Sequence, residues 1–270
     1  MPTFRRWRPI RAVLARVLLV LLALSLVLVA VPVHHHLQPW LVSDELASAR
    51  SLLWLTAHPD DESFFFAPTI LNVIGPERAV RGGILCLSIG DHEGAGAIRQ
   101  RELQASCSLL GVGTDRCLAL DHLSLPDNPQ VEWSAETILE IVKKQVADWD
   151  IDAIITFDAF GVSGHANHRA LYAGLTQASI ARTPLPPVFT VRSTNVLAKY
   201  TSVLLLPVAV LQHALDIVIS RRRTSLFLSS IAQYRTARQS FAAHQSQTRW
   251  FRTLFVTASR YLWYVQADRM

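Results

Sequence analysis

Between residues 51 and 191, short apolar runs alternate with longer stretches whose apolar positions recur at helical spacing. The runs at 51–57, 80–87, 117–120, 153–157 and 188–191 predict strands, and the segments near 63–74, 97–110, 134–148 and 167–179 predict the helices between them. Runs this uniformly apolar suit strands buried on both faces. A strand–helix alternation of this kind gives a three-layer α/β/α sandwich around a Rossmann-like, mostly parallel sheet.

Two further apolar stretches lie outside that rhythm. Residues 17–33 are uncharged and almost entirely Leu, Val and Ala, which is the length that crosses a bilayer, about 17 to 25 residues. They predict one N-terminal transmembrane anchor; the rival is a cleaved signal peptide, whose apolar part is usually shorter. His34, His35 and His36 follow, but three consecutive side chains diverge, so 34–50 reads as a juxtamembrane linker. The second stretch, 197–220, is interrupted by Pro207, Gln212, His213 and Asp216 and predicts a helix packed on the domain or lying in the membrane interface. The expected organisation is therefore a basic segment 1–16, an anchor 17–33, a linker 34–50, a catalytic core 51–196 and a helical, basic, aromatic and membrane-proximal part 197–270.

The net charge of +5 is concentrated at the ends, with Arg5, Arg6, Arg8, Arg11 and Arg16 at the start and nine Arg against the single acid Asp268 after residue 220. Basic ends beside apolar stretches suit an anionic membrane surface, and no interleaved basic and aromatic pattern points to nucleic acid. The three cysteines, Cys86, Cys107 and Cys117, show no metal-knuckle spacing and are odd in number, which predicts reduced core thiols.

The chemistry lies after two of the strands. The first is followed by His58-Pro59-Asp60-Asp61-Glu62, an imidazole and three carboxylates at the carboxyl end of the sheet, where open α/β sheets bind ligands. His58 and Asp61, three apart, can converge on one point while Asp60 projects elsewhere. The fourth strand is followed by a glycine-containing loop that delivers His165 and His168. With His168, the set of two His and one carboxylate leaves an open position for water, as catalytic zinc sites do. The plainer reading, acids complementing a helix N-terminus, does not require His58.

These motifs, with Phe65-Phe66-Ala67-Pro68-Thr69, Gly161-Val162-Ser163-Gly164, Arg99-Gln100-Arg101-Glu102-Leu103, Leu125-Pro126-Asp127, Ser193-Thr194-Asn195-Val196-Leu197 and Trp250-Phe251-Arg252, resemble the N-acetylglucosaminylphosphatidylinositol de-N-acetylases. They form the eukaryotic, GPI-biosynthesis branch of the LmbE-like deacetylase superfamily. The resemblance spans roughly residues 50–262. It implies a hydrolase dependent on Zn2+ or another divalent ion, which frees acetate from a GlcNAc-phosphatidylinositol lipid in the second step of GPI-anchor synthesis. By motif it makes His58, Asp61 and His168 the metal ligands, Asp60 the general base and His165 the group that polarises the acetyl carbonyl. Arg99, which aligns with an Arg of the family pattern, is placed to contact the substrate phosphate or sugar, the competing reading being a surface-helix Arg; Asp121 and Asp127, at or after the third strand, are candidates to hydrogen-bond a ligand histidine or to hold the loop.

The resemblance further implies a catalytic domain on the cytosolic face of the endoplasmic reticulum; with the one anchor this makes a single-pass membrane protein, and no obligate protein partner is predicted. The positive-inside rule instead keeps the Arg-rich start in the cytosol, so the two expectations of orientation conflict. Two rivals remain: a de-N-acetylase of another GlcNAc conjugate, and a catalytically silent membrane subunit. A dinucleotide-binding protein is disfavoured because His-Pro-Asp-Asp stands where a glycine-rich phosphate turn would be needed.

Overall fold

The computed structural model of the chain describes residues 7–30, 40–74, 79–128, 130–220 and 224–270. The five predicted strands form as β1 (Ser51–Thr56), β2 (Arg81–Cys86), β3 (Cys117–Ala119), β4 (Ala153–Phe157) and β5 (Val188–Val191), all parallel to their neighbours. Every residue of β1, β4 and β5 is buried, because helices cover both sheet faces.

The covering helices are also where the periodicity puts them. The first begins as a π-turn at Glu62–Phe66 and continues as α2 (Ala67–Val73); α3 (Gly96–Leu109), α4 (Ala135–Trp149) and α5 (Ala166–Ile180) follow. Ser134 starts α4 by accepting the Thr137 N–H at 3.3 Å, and α4 turns Ile138, Leu139 and Val142 into the core.

The N-terminal apolar run is helical. Helix α1 (Trp7–Ala30) takes in much of the expected basic segment, and residues 12–30 are long and apolar enough to cross a membrane. Residues 31–33 of the expected anchor and His34 to His36 lie outside the described residues. The later part of the expected linker belongs to the core: Leu46 is fully buried, and the Ser43 N–H donates to Ser225 Oγ at 3.0 Å.

The chain after residue 196 departs from expectation. It contains α6 (Leu206–Ser220), α7 (Ile231–Ala243) and α8 (Trp250–Ala258), but also two strands, β6 (Thr224–Leu228) and β7 (Tyr264–Arg269). β7 runs antiparallel to β5 and β6 antiparallel to β7, giving the sheet order β3-β2-β1-β4-β5-β7-β6. The expected core boundary at 196 thus cuts through one continuous sheet. Arg192 ties the two parts together, donating to Asp268 Oδ1 at 2.6 Å and Oδ2 at 2.8 Å.

The cysteine expectation also needs correction. Cys107 and Cys117 are joined as a disulfide, and Cys86 is the buried free thiol. The tight return from α3 into β3, fixed by the Val112 N–H donating to the Cys107 carbonyl at 2.9 Å, brings the two together.

Candidate active site

The strand order reverses its sense of progression at β1 and β4, so the loops leaving their carboxyl ends part to opposite sides and open a crevice. Both histidine-bearing segments sit there. After β1, Asp61 folds the turn back on itself: its Oδ2 accepts the N–H groups of Ala57 at 3.0 Å and His58 at 2.9 Å. Its Oδ1 lies 3.1 Å from His168 Nε2. Burial opposes ionisation of Asp61, but the adjacent His168 and His58 groups outweigh it and hold the carboxyl well below the usual carboxylate range.

Asp60 sits at φ 120°, a conformation that costs a non-glycine residue about 1–3 kcal/mol and persists only where its surroundings fix it. Glu62 fixes it, accepting the Asp60 N–H on Oε2 at 3.0 Å, and Ser63 Oγ donates to the Asp60 carbonyl at 2.9 Å. The Asp60 carboxylate accepts from Arg252 Nη1 and lies 3.7 Å from Arg99 Nη2. Burial raises its pKa above the usual value despite the two guanidiniums.

The loop after β4 is drawn in by Asp158, whose Oδ1 accepts the N–H of Gly161 at 2.9 Å and the hydroxyl of Ser193 at 2.6 Å. Gly161 is required at φ 68°, since a Cβ there would stand 2.7 Å from His168 Cβ. His168 Nδ1 lies 3.0 Å from the Gly161 carbonyl, so its proton belongs there and Nε2 faces Asp61. Phe157 stacks on the His168 ring at 4.1 Å and holds its plane. His165 caps α5 by accepting the Asn167 N–H on Nδ1 at 3.2 Å, which leaves its neutral ring a proton on Nε2. Burial, then the neighbouring His58 and His168, lower its pKa to about 4.

Of the residues expected from sequence, His58, Asp60, Asp61, Arg99, Asp127, His165 and His168 all line one cavity of about 690 Å³. Asp127 contacts His58, with Oδ1 3.2 Å from Nε2; burial works against its ionisation, yet the hydrogen bond from His58 holds its carboxyl low. Asp121 is exposed beyond β3 and is not among the cavity-lining residues. Arg99 is buried and donates to the carbonyls of Gly90 at 3.0 Å and Pro59 at 2.8 Å, which makes it a brace between two loops.

The site also contains groups the sequence reading left unassigned. Arg252 and Lys199 line the cavity, and His244 Nε2 sits 2.6 Å from Glu62 Oε1. Arg252 lay within a motif already noticed, whereas nothing local marks His244 as a neighbour of Glu62.

Residues 53–179 match the family model described as GlcNAc-PI de-N-acetylase. The chain is 36% identical over 217 residues to the N-acetylglucosaminyl-phosphatidylinositol de-N-acetylase of Bos taurus, covering 79% of this chain and 81% of that one. The chain belongs to the GlcNAc-PI de-N-acetylase family. A second member, a probable enzyme of the same name from Schizosaccharomyces pombe, is 32% identical over 220 residues and covers 81% of this chain and 86% of its own. The family fold extends to the N,N'-diacetylchitobiose deacetylase of Pyrococcus horikoshii, at TM-score 0.58 and 14% identity, covering 88% of this chain and 90% of that one.

The donor set fits a divalent metal ion. Ligand atoms of His58, His165 and His168 lie within 4.8 Å of one another, and the Asp61 carboxylate adjoins His168. Imidazole nitrogen with a carboxylate oxygen is the chemistry of zinc and similar divalent ions. The outer contacts are those that orient such ligands: the Gly161 carbonyl at His168 Nδ1 and the Asp127 carboxylate at His58 Nε2.

Proposed function

We propose that the protein is a metal-dependent hydrolase that converts N-acetylglucosaminyl-phosphatidylinositol to glucosaminyl-phosphatidylinositol and acetate, at the endoplasmic reticulum membrane in GPI-anchor synthesis. The observation that carries the proposal is Asp60, held in a strained turn beside the His58, His165 and His168 cluster, in a chain of this family.

His58, Asp61 and His168 would hold the ion, with zinc the first choice. When bound, it supplies Lewis acidity that stabilises charge developing on an amide carbonyl and acidifies water. Asp60, kept rigid by Glu62, takes the proton from the attacking water and returns it to the leaving amine as the C–N bond breaks. His165, neutral at pH 7, donates a hydrogen bond from its Nε2–H to the carbonyl oxygen as negative charge grows there. The products are acetate and a free glucosamine amine, so no group beyond water is consumed.

Purified full-length protein incubated with vesicles containing GlcNAc-phosphatidylinositol should release one acetate for each amine formed, and Asp60→Asn should not. Deacetylation of a soluble N-acetylated disaccharide with none of the lipid would favour another GlcNAc conjugate as substrate. A metal-replete protein inactive on both would favour the silent-subunit reading.

A further inference from the structure

Helix α6 buries Leu206 and Ala209 at its start, but its second half is inverted relative to an ordinary surface helix, which turns its apolar stripe to the core. There His213 is buried and Asp216 pairs with Arg192 at 3.1 Å, while Gln212 is exposed. Leu211 and Leu215 are 63% and 56% exposed, and Val218 and Ile219 are each 81% exposed. Helix α8 buries Val256 near its end, but its first turns repeat the inversion. Arg252 turns inward onto Asp60, while Trp250, Phe251 and Leu254 stand 79%, 52% and 53% exposed.

These faces are continuous. Val196 and Leu197, 68% and 84% exposed, begin the turn that leads to Tyr200, whose ring meets Phe255 of α8 at 6.0 Å. The Ser202 N–H donates to the Ala258 carbonyl at 2.8 Å, joining this segment to the end of α8. Helix α6 packs against α1, where Ser25 and Val29 are buried and the other side of the helix exposes Leu19, Val20 and Val27. Contiguous apolar surface on this scale marks an interaction site.

We infer that α1, α6, the 196–200 turn and the outer face of α8 form one membrane-seated surface, with the catalytic cavity opening onto it so that a lipid substrate enters sideways from the bilayer. The lipid identity of that substrate rests on the proposed function; the surface itself does not. Three observations favour lipid over a protein partner. Helix α1 provides a 19-residue apolar span directly beside α6. Trp250 and Tyr200, residue types that settle at the border of hydrocarbon and water, sit at the cavity mouth. Lys199 and Arg252 line the same mouth, at the level where lipid phosphates would lie. The adjoining pocket, lined by Ser246, Gln247 and Arg249, is the polar side suited to a sugar.

The test uses full-length protein in phosphatidylcholine vesicles containing phosphatidylinositol. Brominated acyl chains should quench the tryptophan fluorescence of the wild type more than that of Trp250→Phe. The double variant Val196→Asp/Leu197→Asp should lose roughly tenfold or more of acetate release from vesicle-embedded GlcNAc-phosphatidylinositol, yet keep the wild-type rate on a chain-free, water-soluble GlcNAc-inositol phosphate. Equal quenching in Trp250→Phe and wild type, or equal losses on both substrates, overturns the membrane face. Crosslinking between copies at Leu197→Cys also overturns it, assigning the surface to a second copy of the chain. A wild type inactive on both substrates that still shows the quenching difference supports the face and strikes the deacetylase reading instead.

Discussion

His244 Nε2 lies 2.6 Å from Glu62 Oε1, and both side chains are fully buried. The pair links the segment after α7 to the turn after β1 across 182 residues. Ser106 Oγ donates to the same Glu62 oxygen at 2.5 Å, leaving Oε2 for the Asp60 N–H. The C-terminal part of the chain therefore fixes the strained backbone of Asp60 through Glu62.

Removing one partner of a buried ion pair strands the other, at a cost of about 3–5 kcal/mol. His244→Ala should lower stability by that order, whereas His244→Gln, which keeps a donor, should cost less. Chemical denaturation of the two variants checks this; equal effects would mean that Glu62 does not depend on the hydrogen bond.

The same pair gives a pH window. Burial opposes the charged form of each residue, but each partner outweighs it, so the Glu62 carboxyl is held low and the His244 imidazole high. The Glu62 contribution is complete above its ordinary value of 4.5 and fades as pH falls through the lower folded value. The His244 contribution is complete below 6.5 and fades as pH rises through the higher folded value. The Tm difference between wild type and His244→Gln should thus be largest between those two values and shrink on either side.

Metal content separates the two candidate ligand sets. With His58, Asp61 and His168 as ligands, Asp61→Asn and His168→Ala should lose both metal and activity. His165→Ala should keep the metal and lose about 10²- to 10³-fold in kcat, the usual cost of removing one oxyanion donor. A metal-free His165→Ala protein with metal retained in Asp61→Asn would reverse the assignment. Asp60→Asn should keep its metal while losing turnover.

Arg252 should tune Asp60. Burial pushes this carboxyl up, and Arg252 followed by Arg99 pulls it back. Arg252→Ala should therefore move the acid limb of the kcat/KM profile to higher pH, with Arg252→Lys between it and the wild type. An unmoved limb would mean that Asp60 does not set it.

Much of this site was legible because its residues follow strands that the apolar pattern marks plainly. His58 to Glu62 and His165 to His168 each occupy a loop at the carboxyl end of such a strand. What escaped is non-local. Strand β6 opens on Thr224-Ser225 and β7 carries Gln266, Asp268 and Arg269; pairing of β7 with β5 and of β6 with β7, more than local pattern, makes them strands. Arg252, His244 and the Cys107–Cys117 pairing are contacts set by packing. Arg99, expected to contact substrate, lines the cavity while also donating to two loop carbonyls, and Asp127 rather than Asp121 reaches His58. The interruptions of α6 are plain in the sequence, but only the structure reveals that His213 and Asp216 point inward.

The most direct test of the proposed chemistry is acetate release from GlcNAc-phosphatidylinositol vesicles by full-length protein, before and after chelation and after zinc is restored, with bound metal quantified in parallel. Release that disappears with the metal and returns with zinc, at one acetate per free amine formed, is the predicted result. Undiminished release from protein shown to be metal-free would contradict it.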